Sequence, residues 1–89
     1  MPDNNSYDTT FTKKLTCSSS NQSEDMLIVR NHVSLIADGD CFVNFDKAVT
    51  TTSRYLLKAN TPVELDVTFS RLNYLADSST PAIYVVASR

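Results

Sequence analysis

Val63-Glu64-Leu65-Asp66-Val67-Thr68-Phe69 alternates apolar and polar residues without a break. A side-chain period of two marks a strand with one buried and one solvated face. Val63, Leu65, Val67 and Phe69 are expected to point inward, and Glu64, Asp66 and Thr68 outward. A lone strand cannot bury its apolar side. The remaining segments are therefore read as its partners, with this run at the centre.

Working outward, short apolar or alternating runs recur about every 8–12 residues with turn residues between them, the pattern of a small sandwich or barrel. Upstream lie Met26-Leu27-Ile28-Val29-Arg30-Asn31 and Val33-Ser34-Leu35-Ile36-Ala37, either one strand bulged at Asn31-His32 or two short strands. Asp38-Gly39-Asp40 holds the only glycine of the chain and reads as a turn, with glycine taking positive φ. Cys41-Phe42-Val43-Asn44-Phe45-Asp46 and Arg54-Tyr55-Leu56-Leu57-Lys58 are further strands, separated by a threonine-rich loop. Downstream come Arg71-Leu72-Asn73-Tyr74-Leu75-Ala76, a turn at Asp77–Pro81, and the β-branched run Ala82–Ala87. No stretch repeats apolar residues at helical spacing over three turns. The expected fold is all-β: a small antiparallel β-sandwich or barrel of about six to eight short strands.

Residues 1–25 differ in composition. Ser18-Ser19-Ser20-Asn21-Gln22-Ser23-Glu24-Asp25 has no apolar residue and cannot repay its ordering entropy by burial. It reads as a linker. Before it, Tyr7, Thr9, Phe11, Lys13 and Leu15 share one side of a modest alternation. Residues 1–25 therefore read as an extended polar N-terminal arm, either one that becomes a strand on pairing with a sheet edge, in its own subunit or a neighbour's, or a frayed terminus with no role. A single β domain is expected over 26–89, folded even when the arm is deleted.

Eighty-nine residues make one domain that buries roughly 60–65% of its unfolded surface, so the core is thin. Domains of this size lean on disulfides, metals or self-association. The formal net charge is −2 and the eight Lys and Arg are scattered, with only Lys13-Lys14 adjacent. That distribution argues against a nucleic-acid partner. No apolar run is long enough to cross a membrane as a helix, and the first residues lack a secretory pattern. Cytosolic synthesis is expected, with Cys17 and Cys41 as buried thiols.

Candidate chemistry is sparse. His32, the only histidine, has no nucleophile-elbow glycines to work with. Cys17, Cys41 and His32 match no zinc spacing. Asp38, Asp40 and Asp46 supply oxygen ligands of the kind calcium takes, although Asp-Gly-Asp is ordinarily a turn. Asn4-Asn5-Ser6 and Asn21-Gln22-Ser23 are glycosylation sequons in form only, given cytosolic synthesis. Tyr55, Tyr74 and Tyr84 are an alternative ligand surface, a platform for a sugar. No catalytic residue, metal ligand or cofactor is assigned.

The run Asp40, then Cys41-Phe42-Val43-Asn44-Phe45, resembles a segment common in very small virion proteins of tailed bacteriophages. There, too, a Thr/Ser loop follows, as in Val49-Thr50-Thr51-Thr52-Ser53, and then a short leucine strand ending in a turn, as in Tyr55–Asn60. An alternating strand, a segment like Leu72–Ala76, and a closing strand such as Ile83-Tyr84-Val85-Val86 complete the order over residues 26–88. The chain departs from the pattern where Asp46-Lys47 and Ser78-Ser79 stand in place of the usual glycines. The resemblance implies a non-enzymatic capsid decoration or cement protein, or a head–tail junction component, made in the host cytoplasm and resident in the virion. It implies self-association, a trimer being favoured, and binding to the major capsid protein or another virion protein. Tyr7, Phe11 and Leu15 are the arm's candidate anchors for a neighbour. The alternative is a receptor- or carbohydrate-binding module on a virion.

Overall fold

The computed structural model describes residues 10–89. Among them are eight strands and no helix: β1 (Thr10–Thr16), β2 (Gln22–Arg30), β3 (His32–Ala37), β4 (Cys41–Phe45), β5 (Tyr55–Leu57), β6 (Val63–Leu65), β7 (Phe69–Ala76) and β8 (Ala82–Ser88). They form two four-stranded antiparallel sheets, ordered β1-β8-β3-β6 and β2-β7-β4-β5. The inner faces meet in one apolar core that includes Leu15, Met26, Val33, Leu35, Val43, Leu57, Phe69, Leu72, Ile83 and Val85. This is the expected all-β sandwich.

Its centre is elsewhere than expected. β8 pairs with β1 on one side and β3 on the other, from Thr10↔Ser88 and His32↔Ser88 along its length. β7 holds the same position in the second sheet, between β2 and β4. The run Val63–Phe69 is split. Val63–Leu65 is a three-residue edge strand of the first sheet, Asp66–Thr68 crosses the rim, and Phe69 opens β7 in the second. Alternation survives the crossing: Glu64, Asp66 and Thr68 are exposed, Val63, Leu65 and Val67 pack at the core margin, and Phe69 is buried. Inward and outward mean the same in both layers of a sandwich. Period-two patterning therefore gives no sign of a change of sheet.

The domain also begins earlier than residue 26. Thr10–Thr16 pairs with β8 over seven residues, Leu15 lies in the core and Phe11 packs against it. These two expected anchors for a neighbour are spent on the chain's own core; Tyr7 lies outside the described residues. Lys13, on the same side of β1, reaches across the sandwich edge to Glu24 on β2, Nζ to Oε2 at 2.7 Å. Gln22–Asp25, read from composition as linker, is the first half of edge strand β2. An edge strand with solvated side chains needs little apolar content, so composition does not distinguish it from a linker.

The turns are built from aspartate and asparagine. Asp46 takes φ 63°, in the left-handed region that glycine ordinarily fills. Its carboxylate Oδ1 accepts from the amides of Ser70 and Arg71, both at 2.9 Å, and its own amide donates to Arg71 O. Gly39 does not have a positive φ. It is needed instead for close approach, because a Cβ there would come within 2.9 Å of Pro81 Cβ. Asn44 and Asn21 hold the loop after β4: Asn44 Nδ2 donates to Ala48 O and Ser53 O, and Asn21 exchanges two bonds with the Val49 backbone.

Candidate interaction surface

β2 is an edge strand, and its second half is distorted. Asp25 opposes Arg71 and Arg30 opposes Phe69, so the four residues Met26–Val29 face Ser70 alone. The local cause is visible in the side chains. Met26 is buried in the core and Arg30 is 2% exposed, which fixes both ends of the bulge. The Arg30 guanidinium donates from Nε and Nη2 to Met26 O, at 3.2 and 2.9 Å, and lies 5.8 Å from the Phe11 ring centroid. The chain between is forced outward. Leu27 takes φ 75°, its amide donating to Asp25 Oδ1 at 2.8 Å. Leu27 is 75% exposed and Val29 53%. A bulky side chain in the left-handed region is an outlier, costing on the order of 1–2 kcal/mol. Strain of this kind clusters at functional sites.

A second apolar patch lies on the outer face of the first sheet. Ile36 and Tyr84 are cross-strand partners, and Val86 lies two residues further along β8. All three are exposed large hydrophobics. Lys14, opposite Tyr84 on β1, places Nζ 5.9 Å from its ring centroid. Ile36, Tyr84 and Val86 border a shallow hollow of about 140 Å³ closed by Pro62 and Val63. On the second sheet Phe42 stands between Leu56 and Leu75, and the Arg54 guanidinium covers it at 4.1 Å.

His32 opens β3, with carboxylates on both edges of its ring. Nδ1 lies 2.7 Å from Asp66 Oδ1 and Nε2 3.4 Å from Glu64 Oε1. The hydrogen bond to Asp66 raises its pKa above the usual histidine value. The two acids bracket the imidazole, Asp66 on the Nδ1 side and Glu64 on the Nε2 side. This cluster ties β3 to the strand crossing between the sheets.

The remaining sequence candidates fall in separate places. Asp38 Oδ1 accepts from Ala82 N, and Asp40 Oδ1 accepts from Ala59 N, both at 2.8 Å. With Asp46 they serve as backbone clamps. Among the described residues no group of three His, Cys, Asp or Glu is placed to hold a metal ion. The three tyrosines do not form a platform. Tyr74 is 6% exposed and lies in the core, while Tyr84 and Tyr55 are on different sheets. Burial raises the Tyr74 phenol. Cys17 and Cys41 are free and buried.

Sequence reasoning missed Leu27, Val29 and Arg30 as a unit. A signal was present: Met26-Leu27-Ile28-Val29 is four apolar residues in a row beside a polar half-strand. They cannot all face inward on an edge strand, so some must project. Compared with known proteins, the chain matches no family model, no curated protein and no solved structure.

Proposed function

We propose that this chain is a non-enzymatic structural interaction module: a capsid decoration or minor virion protein of a tailed bacteriophage, acting as a homo-oligomer, a trimer being favoured. It is made in the host cytoplasm and works on the particle. The observation that carries the reading is the bulged edge of β2, where Leu27 is held projecting in a strained conformation by a buried arginine. An apolar side chain kept outside at a conformational cost is a contact prepared for a partner. The order of segments that resembles small phage virion proteins supplies the partner's identity, an assembled shell. Many copies, each adding modest area, then attach through multivalent contacts.

The test is co-sedimentation of purified protein with expanded phage heads, alongside the variant Leu27→Asp/Val29→Asp. Wild type is expected to pellet with the heads. The variant should stay in the supernatant while keeping its circular-dichroism spectrum and Tm. Wild type that ignores the heads and stays strictly monomeric in sedimentation equilibrium overturns the proposal.

A further inference from the structure

The outer face of the first sheet is patterned across its strands as well as along them. On β3 and β8 the residues Val33, Leu35, Ile83 and Val85 are buried, so alternation turns Ser34, Ile36, Tyr84 and Val86 outward. Leu15 is buried on β1, and Val63 and Leu65 pack against the core from β6. Lys14 therefore faces out at one margin of the sheet and Glu64 at the other. The ladder sets these residues in two rows. Lys14, Tyr84 and Ile36 lie opposite one another, and so do Thr12, Val86, Ser34 and Glu64. The rows are two residues apart on each strand, about 7 Å. The face is thus apolar in the middle, basic at the β1 margin and acidic at the β6 margin. Ile36, Tyr84 and Val86 are 36%, 44% and 43% exposed. Contiguous exposed apolar groups rimmed by polar ones mark a contact surface.

We propose that this face is a two-fold interface between copies of the chain, with the axis parallel to the strands. The charge pattern selects that axis. Two sheets stacked face to face about an axis along the strands exchange their margins, so β1 of each copy lies over β6 of the other and β8 over β3. Lys14 then meets the partner's Glu64, and Glu64 the partner's Lys14, the reciprocal contact of a two-fold interface. A lysine's flexible four-carbon stem spans the offset of one row. Glu64 has room to accept, since its side chain is 71% exposed and its contact with His32 is a loose 3.4 Å. An axis across the strands would instead lay β1 on β1 and β6 on β6, setting lysine on lysine and glutamate on glutamate. In the favoured arrangement each Tyr84 comes down over the partner's Ile36. It lands beside the hollow of about 140 Å³ that Ile36, Pro62 and Val63 help to line.

Four strands spaced ~4.8 Å apart and about 20 Å long give a footprint on the order of 400 Å² per copy. That is the low end for a specific contact, which makes the association weak and reversible. The face lies on the opposite layer from Leu27 and Val29, and it pairs copies whether or not that edge binds a shell. Where chains are joined in threes elsewhere, the same contact pairs trimers.

The experiment is sedimentation equilibrium of the purified chain from micromolar to millimolar concentration. Wild type is compared with Tyr84→Asp, Lys14→Glu, Glu64→Lys and the double exchange Lys14→Glu/Glu64→Lys. Wild type is expected to pair reversibly, and Tyr84→Asp to abolish the pairing. Each single charge exchange should weaken it roughly tenfold, because every pair then carries two like-charge contacts. The double exchange should return it to within about threefold of wild type. All three positions are exposed, so Tm should stay near that of wild type, which separates lost pairing from lost folding. A wild type without a pairing step up to millimolar concentration, pairing that survives Tyr84→Asp, or a double exchange that pairs no better than the single ones overturns the proposal. Co-sedimentation with heads reads Leu27 and Val29 instead, so the two tests fail separately.

Discussion

Leu27 combines two disadvantages that a stability-optimised domain would avoid: a bulky side chain at φ 75° and an apolar surface left in water. The two separate in one substitution. Leu27→Gly relieves a left-handed strain of ~1–2 kcal/mol against a glycine flexibility cost of ~0.5–1 kcal/mol. Little burial is lost, so the variant should be more stable by ~0.5–1 kcal/mol in urea unfolding and, on the proposed function, should bind shells less well. A variant that loses stability instead would show that Leu27 packs for its own fold. Residue-scale chemistry was partly legible in the sequence. Asp38 and Asp40 were recognisable as turn-formers, whereas Asp46 read as the last residue of a strand. Which backbone amides the three clamp was not legible, because Ala82, Ala59 and Ser70 lie 44, 19 and 24 positions away along the chain.

Among the elements, β3, the crossing Asp66–Thr68 and the short strand β6 meet at His32. Its pKa is raised in the fold, chiefly by the hydrogen bond to Asp66 and also by the charges of Asp66 and Glu64. The imidazolium therefore gains partners on folding that it lacks when unfolded. The sign follows: this contribution is complete below the unfolded value of about 6.5 and is lost as pH rises through the higher folded value. Tm is expected to fall slightly from pH 6 to pH 8 in wild type, and His32→Gln should remove that slope. The effect is small, since the ring and both carboxylates are exposed to solvent. An unchanged slope in His32→Gln would assign the pH dependence to other groups. Strand positions were largely readable, since each needs only its own period. The bulge of β2 was not, because it depends on Arg30 folding back onto Met26 O.

At the scale of the whole molecule, the sandwich was legible as a class and its wiring was not. Which strands are central depends on pairings between distant parts of the chain, such as Thr16↔Ala82 and Gln22↔Tyr74. Composition drew a boundary at residue 25 that the pairing crosses. Deleting residues 1–25 therefore removes all of β1 and the first part of β2. It takes Leu15 and Cys17 from the core and leaves one side of β8 without its ladder. A loss of several kcal/mol is expected, about the whole stability of a domain this small. The truncated chain should show no cooperative thermal transition. A truncated chain that melted sharply would put β1 outside the folding unit.

Thr10 and Ser88 stand opposite each other in register, so the first residue of β1 and the last of β8 share one corner of the first sheet. A short flexible peptide would span that gap, and fresh ends could be cut into the loop between β4 and β5, giving a circular permutant with the same ladder. Payloads joined directly at Thr10 and Ser88 would emerge side by side, arrayed at a fixed spacing wherever copies of the protein are arranged.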